Sequence, residues 1–336
     1  MHRNLIVIGA SAGGVEALRA LVAELPADLP ASVLVVLHVP AYGGSVLPAI
    51  LTRSGPLAAR HPVSGEPLPT GQILVAPPDH HLVVHDGAVT VTRGPHENGH
   101  RPAIDVLFRS AARAEGSRVI GVVLSGVLDD GTAGLVAITR RGGVTIVQDP
   151  DEALYPGMPL NAIEHVDVDY VATAQQIGKL LIGLCAAEID HVETPASHLM
   201  GMEADVAMVD DDALNDPDRP GVPSGFSCPD CNGVLWEIRD GDLLRYRCRV
   251  GHAWSAESLF GEQAQQLDGA LWMALRGLEE KAALARTLAN RAQERGNLLS
   301  VKRFEEQDRE CTRAASLIRS MLEAHVGIHD DAGVAR

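Results

Sequence analysis

A chain of 336 residues that is 46% apolar can bury a substantial core, and with aromatics at 3% that core must be built from Val, Leu, Ile and Ala. The formal net charge of −16 excludes a general nucleic-acid binder and a protein docked on an anionic membrane, since both need a basic surface. No signal-peptide pattern precedes the first apolar strand and no apolar run approaches the ~18 residues of a membrane span, so a cytoplasmic location without membrane insertion is expected.

Residues 1–190 alternate strand-like and helix-like segments. Asn4–Ile8 is a short apolar strand that runs into Gly9-Ala10-Ser11-Ala12-Gly13-Gly14, and Val15, Leu18, Leu21 and Val22 then share a helical face. The run Ala31–Leu37 ends on His38, a helix is predicted near Ser45–Thr52, and a strand over Gln72–Ala76. Leu82–Val84 and Val89–Thr92 flank Asp86-Gly87, the signature of a hairpin turn. A helix is predicted from about Ala103 to Ala114, then the strand Arg118–Leu124, a helix near Ala133–Arg140 and the strand Val144–Val147. Apolar runs without alternation are buried on both faces, so the pattern predicts a doubly wound, mainly parallel α/β sheet flanked by helices. In such a sheet the C-terminal strand ends share one edge, where ligands bind.

Residues 191–225 break the rhythm with Pro195, Pro217, Pro220, Pro223 and the run Asp210-Asp211-Asp212. Seven acidic residues against one basic within 201–220 read as a solvated acidic linker. Residues 226–254 hold Cys228-Pro229-Asp230-Cys231 and Cys248-Arg249-Val250-Gly251-His252. These four ligands, Cys228, Cys231, Cys248 and His252, have the kinds and spacing of a closed structural Zn²⁺ site, which predicts a zinc-ribbon-like unit. A redox Cys-x-x-Cys would leave Cys248 and His252 unexplained. Arg239, Arg245, Arg247 and Arg249 form a local basic cluster, for which nucleic acid is the less favoured partner and protein the more favoured. Residues 255–328 read as an α-helical hairpin, with Leu267, Leu271, Ala274 and Leu278 on one helix and Cys311, Ala315, Ile318 and Leu322 on the other. Its apolar stripe must be buried against something, a partner or a second copy in a homo-oligomer. Cys185 and Cys311 fall on apolar helical faces and are expected to be buried thiols.

The Gly-x-Ser-x-Gly-Gly turn has three readings: a nucleotide-binding turn, a nucleophile elbow, or a glycine-rich packing turn. His38 ends the next strand, where a nucleotide binder would carry an acidic ribose ligand. A serine nucleophile needs a base, and imidazole titrates in the right range. Asp130, in Asp129-Asp130-Gly131, is placed to orient such an imidazole and equally to cap the following helix.

Six ordered motifs over roughly residues 3–185 resemble the catalytic domain of the chemotaxis protein-glutamate methylesterases (CheB-type). They are Ile8–Gly14, Val36-Leu37-His38-Val39-Pro40, Ala76-Pro77-Pro78-Asp79-His80-His81, His100-Arg101-Pro102-Ala103-Ile104-Asp105-Val106-Leu107-Phe108, Ser125–Gly131 and Gly157-Met158-Pro159. The resemblance implies hydrolysis of glutamyl γ-methyl esters on chemoreceptors with release of methanol, and deamidation of receptor glutamines as a side activity. It implies Ser11 as nucleophile, His38 as general base and Asp130 as orienting acid, with no catalytic cofactor. Backbone amides at Ala12 and Val127 are the expected oxyanion donors, and His81, His100 and Arg101 lie in loops that can reach the same edge to meet an acidic receptor helix. The family usually carries a receiver domain ahead of the catalytic one; here the chain starts at the catalytic strand, so regulation by phosphorylation in cis is expected to be absent. Val127 and Leu128 stand where the family has Met and Gly, which is expected to change the backbone there and narrow the pocket. A non-catalytic signalling adaptor, binding a protein through the ribbon and hairpin, is the alternative reading.

Overall fold

The computed structural model describes residues 1–190, 194–215 and 221–331. In chain order the first elements are β1 (Leu5–Ala10), α1 (Gly14–Val22), β2 (Ser32–Leu37), α2 (Leu47–Ser54), β3 (Ala58–Arg60), β4 (Glu66–Pro67) and β5 (Gln72–Val75). The hairpin strands β6 (His81–His85) and β7 (Ala88–Thr92) lead to α3 (Ile104–Glu115) and β8 (Val119–Val123). Then come α4 (Thr132–Arg140), β9 (Val144–Gln148), α5 (Gly157–His165), β10 (Tyr170–Ala172) and α6 (Ala174–Ala186). Seven strands make one parallel sheet in the order β10-β9-β8-β1-β2-β5-β3. Every residue of β1, β2 and β8 is buried, as their unbroken apolar runs require.

Strand alternation divides the core in two. Ile6, Ile8 and Ala10 face the side covered by α1, α2 and α6, with Leu18, Leu21, Leu51, Ile177 and Leu181. Leu5 and Val7 join the side covered by α3, α4 and α5, with Ile104, Phe108, Leu135, Ile138 and Met158. The chain winds outward from β1 in both directions, so the strand order reverses beside β1 and opens the crevice there. β6 and β7 pair antiparallel across Asp86-Gly87 in a separate small sheet with β4.

The solvated-linker reading of 191–225 is corrected where residues are described. α7 (His198–Ala207) begins on a Ser197 side-chain cap and is largely buried, with Met200, Met202, Ala204, Val206 and Ala207 in the core. The charge count hid this apolar spacing, and Glu203 is not solvated but buried among arginines. The short α8 (Asp211–Asn215) follows; residues 191–193 and 216–220, with Pro217 and Pro220, lie outside the described residues.

The ribbon sheet β11 (Val222–Ser227), β12 (Val234–Asp240), β13 (Leu243–Cys248) and β14 (Ala253–Ser255) is antiparallel throughout. It shares one compact unit, Met1–Leu259, with the α/β sheet and so is not a separate domain. The basic cluster is also revised: Arg245 and Arg247 are buried against Glu203 and Glu97, while Arg239, beside Glu237, and Arg249 are exposed.

The second unit begins at Phe260. It contains most of α9 (Ala256–Glu294) and all of α10 (Leu298–Asp331), which turn at Gly296. Leu275, Ala315 and Leu322 form its small core and Arg286 pairs with Asp308 at 2.8 Å. Cys185 and Cys311 are buried thiols. No helix among the described residues is long and apolar enough to cross a membrane.

Candidate active site

The parallel register brings the three strand ends together. Ala10 is the partner of Leu37, and Gly9 of Val123, so Ser11, His38 and the loop after β8 emerge side by side. Backbone bonds lace these loops: Ser11 N donates to Ser125 O at 2.9 Å and His38 N to Ala10 O at 3.1 Å. Gly13 takes φ +71 at the entrance to α1, and a side chain at Gly126 would strike Ser11 Cβ at 2.8 Å, so both positions need glycine.

Ser11 Oγ lies 3.1 Å from His38 Nδ1, and His38 Nε2 lies 2.8 Å from Asp130 Oδ2. The tautomer protonated at Nε2 satisfies both contacts, donating to Asp130 and leaving Nδ1 to accept from the serine hydroxyl. Asp130 is buried and richly supplied: Ile104 N donates to Oδ2 at 2.7 Å, and Asp105 N and the Asn98 side-chain amide donate to Oδ1 at 3.2 and 3.0 Å. Burial by itself would raise the Asp130 carboxyl, but the His38 hydrogen bond and the other donors outweigh it and hold the group well below the usual carboxylate range. Burial and the Asp130 charge push neighbouring Asp105 well above that range. Two adjacent carboxyls thus have opposite protonation tendencies, with Asp130 the anion.

The weaker site expectations divide. His100 stacks on His38, with ring centroids 3.6 Å apart. Arg101 turns away into a two-nitrogen contact with Asp79 Oδ1, at 2.9 and 2.7 Å, and donates to Gly94 O. The expectation for His81 is corrected: it is fully buried, faces Pro95 O at 3.0 Å and accepts from Ala103 N at 3.1 Å, so it braces the hairpin against α3 and meets no substrate. In the elbow, the Ser11 and Gly14 amides are committed to Ser125 O and Ser11 O, which leaves the Ala12 amide as the next donor along the turn. Val127 and Leu128 are exposed at the rim; Leu128 takes φ +61, the left-handed region that glycine enters freely.

Sequence reasoning missed Asn98 and Asp105. Asn98 sits in the left-handed region at φ +52, in an Asn-Gly step two residues before His100, and that step was the available signal. Asp105, in the first turn of α3, accepts the Gly131 and Gly134 amides at 3.0 and 2.6 Å and so clamps the start of α4.

In the ribbon, Cys228, Cys231 and Cys248 Sγ and His252 Nδ1 lie within 4.8 Å of one another. Cys228 and Cys248 approach His252 at 3.7 and 3.5 Å, and Cys231 approaches Cys248 at 3.7 Å. A tetrahedral ion with ~2.3 Å bonds to sulfur spaces its ligands by about 3.8 Å, so this donor set fits zinc. His96 and Asp230, 3.1 Å apart, lie beside His252, where a carboxylate can steady a ligating ring.

Residues 6–181 match the family described as CheB methylesterase. A protein-glutamate methylesterase/protein-glutamine glutaminase 2 from Rhizobium johnstonii is 37% identical over 52% of this chain and 49% of its own length. A putative protein-glutamate methylesterase/protein-glutamine glutaminase from Leptospira interrogans is 36% identical over 55% of this chain and 96% of its own length. The chain therefore spans about half of the first relative and nearly all of the second. The crystal structure of the Thermotoga maritima CheB methylesterase catalytic domain superimposes with a TM-score of 0.52 at 32% identity, covering 55% of this chain and 100% of that one. With a matched family spanning half the sequence and a sheet edge that assembles Ser11, His38 and Asp130, this chain belongs to the CheB methylesterase family.

Proposed function

We propose that this chain is a serine esterase that hydrolyses glutamyl γ-methyl esters on a chemoreceptor-like protein, with Ser11 as nucleophile, His38 as base and Asp130 as orienting acid. The observation that carries the reading is the continuous relay from Ser11 Oγ through Nδ1 and Nε2 of His38 to Asp130, at 3.1 and 2.8 Å. Ser11 Oγ attacks the ester carbonyl while Nδ1 takes its proton, and the resulting imidazolium is stabilised by Asp130. His38 then gives that proton to the departing methoxide, which leaves as methanol. Water, deprotonated by the same nitrogen, cleaves the acyl-Ser11 and releases the glutamate carboxylate. The Ala12 amide is the proposed oxyanion donor. A glutamine side chain enters the same sequence with ammonia as the leaving group, which makes deamidation the proposed side activity. Val127, Leu128, Leu154 and Tyr155 are exposed around the mouth and suit an apolar-and-polar helical substrate surface. Methanol release from a methylated receptor fragment tests the reading: the wild-type chain turns it over, and Ser11→Ala, still folded, does not.

We further propose that Cys228, Cys231, Cys248 and His252 hold one structural zinc. Four protein ligands leave no open position, so the ion's contribution is to the ribbon's stability. Metal analysis of the purified chain is expected to find one zinc per chain, lost in Cys228→Ser/Cys231→Ser; equal metal in both would contradict the assignment.

A further inference from the structure

The loop 96–100 is held on both sides. On one, His100 stacks on His38 and the Asn98 amide donates to Asp130 Oδ1 at 3.0 Å. On the other, the loop pairs with the ribbon's last strand: Asn98 N donates to Ala253 O at 2.8 Å and Ala253 N to His96 O at 3.1 Å. Glu97 is locked by Arg247 of β13 at 2.9 Å and by Arg109 of α3 at 2.7 Å. The decisive contact is Ser255 N, which donates to Asn98 Oδ1 at 2.8 Å. One buried side-chain amide therefore joins the junction of β14 and α9 to the catalytic carboxylate, with its oxygen on the first and its nitrogen on Asp130 Oδ1 and, at 3.2 Å, on neighbouring Asp105 Oδ2.

A second tether runs in parallel. The Ser255 and Ser258 hydroxyls both donate to Asp129 Oδ1 at 2.8 Å, while Ser255 Oγ also accepts Ser258 N at 2.9 Å and caps α9. Asp129 and Asp130 are consecutive, so the loop that presents Asp130 is pinned at two points by the first turn of α9. None of the six motifs that link the chain to its family includes Asn98, Ser255 or Ser258, and the family match ends at residue 181.

We propose that the ribbon-to-α9 junction is a positioning element of the esterase, acting on Asp130 through Asn98 and, more weakly, through Asp129. Asn98 touches neither substrate nor the reacting atoms and is a positioning residue. Its effect is to hold the Asp130–His38 contact in a productive geometry, where displacements of about 1 Å cost up to ~10²-fold in rate. The proposal rests on the esterase reading but not on the identity of the ribbon's metal.

The test uses the full chain and two readouts, methanol release under steady state and the rate at which a fluorophosphonate labels Ser11. Asn98→Ala and Ser255→Pro, the latter removing both the N–H that holds Asn98 and the hydroxyl that holds Asp129, are each expected to slow labelling and kcat by about 10- to 100-fold, with KM moved less than about twofold. Because they break one relay, the double variant is expected to be no slower than the slower single variant. Should Ser255→Pro not fold by circular dichroism, Ser255→Ala/Ser258→Ala replaces it; this pair deletes both donors to Asp129 and is expected to slow labelling roughly threefold or more. Folded variants that label at the wild-type rate, or losses that multiply in the double variant, overturn the proposal. A wild-type chain that neither labels nor releases methanol overturns the esterase reading instead.

Discussion

The His100 ring lies flat on the His38 ring, 3.6 Å between centroids and 16° from parallel. Burial, and then the proximity of His38, push the His100 pKa down to about 4, so at neutral pH it presents an uncharged face to the imidazole that becomes charged in the proposed turnover. His100→Ala is expected to lower kcat about tenfold through loss of ring positioning, while His100→Lys, which sets a cation beside that imidazole, is expected to cost more. Steady-state methanol release compares them; equal activity in the two variants would contradict the electrostatic part of the argument.

Asp130 accepts on both oxygens from N–H donors, so an asparagine there must turn its own NH₂ toward one of them. Asp130→Asn is expected to reduce kcat by about 10⁴-fold, the scale on which serine hydrolases lose activity when the base is held in the wrong tautomer. The folded-state pKa of Asp130 is depressed, so its contribution to stability is present above the unfolded value near 4 and is lost as pH falls below it. Denaturant unfolding at pH 3 and pH 7 is expected to show a smaller pH dependence in the variant than in wild type.

Asp129 behaves oppositely. Burial pushes it up to about 6 against the pull of the two serine hydroxyls. With the folded pKa above the unfolded one, the native state holds the extra proton between about pH 4 and 6, so this group's contribution falls as pH rises through that window. Asp129→Asn keeps an oxygen for both hydroxyls and removes the charge. The variant is expected to gain stability relative to wild type at pH 7.5 and to lose that advantage by pH 4; a constant difference across the range would contradict it.

Leu128 holds φ +61 on an exposed rim, at a cost of about 1 kcal/mol for an L-residue. Leu128→Gly is expected to leave Tm unchanged or raise it by up to ~4 °C, whereas Leu128→Val, β-branched at the same φ, is expected to lower it. Thermal unfolding that ranks valine above glycine would remove strain as the explanation.

The sheet and its edge were legible because the strands are buried on both faces and so appear as unbroken apolar runs that end where Ser11, His38 and the Asp130 loop begin. Motif order distinguishes Asp130 from Asp129, and the structure separates them by partner, His38 for one and the α9 serines for the other. What stayed hidden were contacts between distant segments. Glu203 reads as one more acid in an acidic stretch, and Arg245 and Arg247 as a basic patch, until folding buries them against one another. His81 sits in a family motif yet is a core residue, because a hairpin strand and not a loop carries it. Asn98 is visible in sequence only as a turn residue, yet its side chain reaches Asp130 and Ser255, 32 and 157 residues away.

Ser11 as the nucleophile of a glutamyl methylesterase has one decisive consequence, the loss of methanol release when its hydroxyl is removed. Methanol released from a methylated receptor fragment by the wild-type chain, set against Ser11→Ala at matched fold and concentration, tests it most directly. Release by wild type and its loss by about 10³-fold or more in the variant is the predicted result. Methanol released equally by both chains, or by neither, would contradict it.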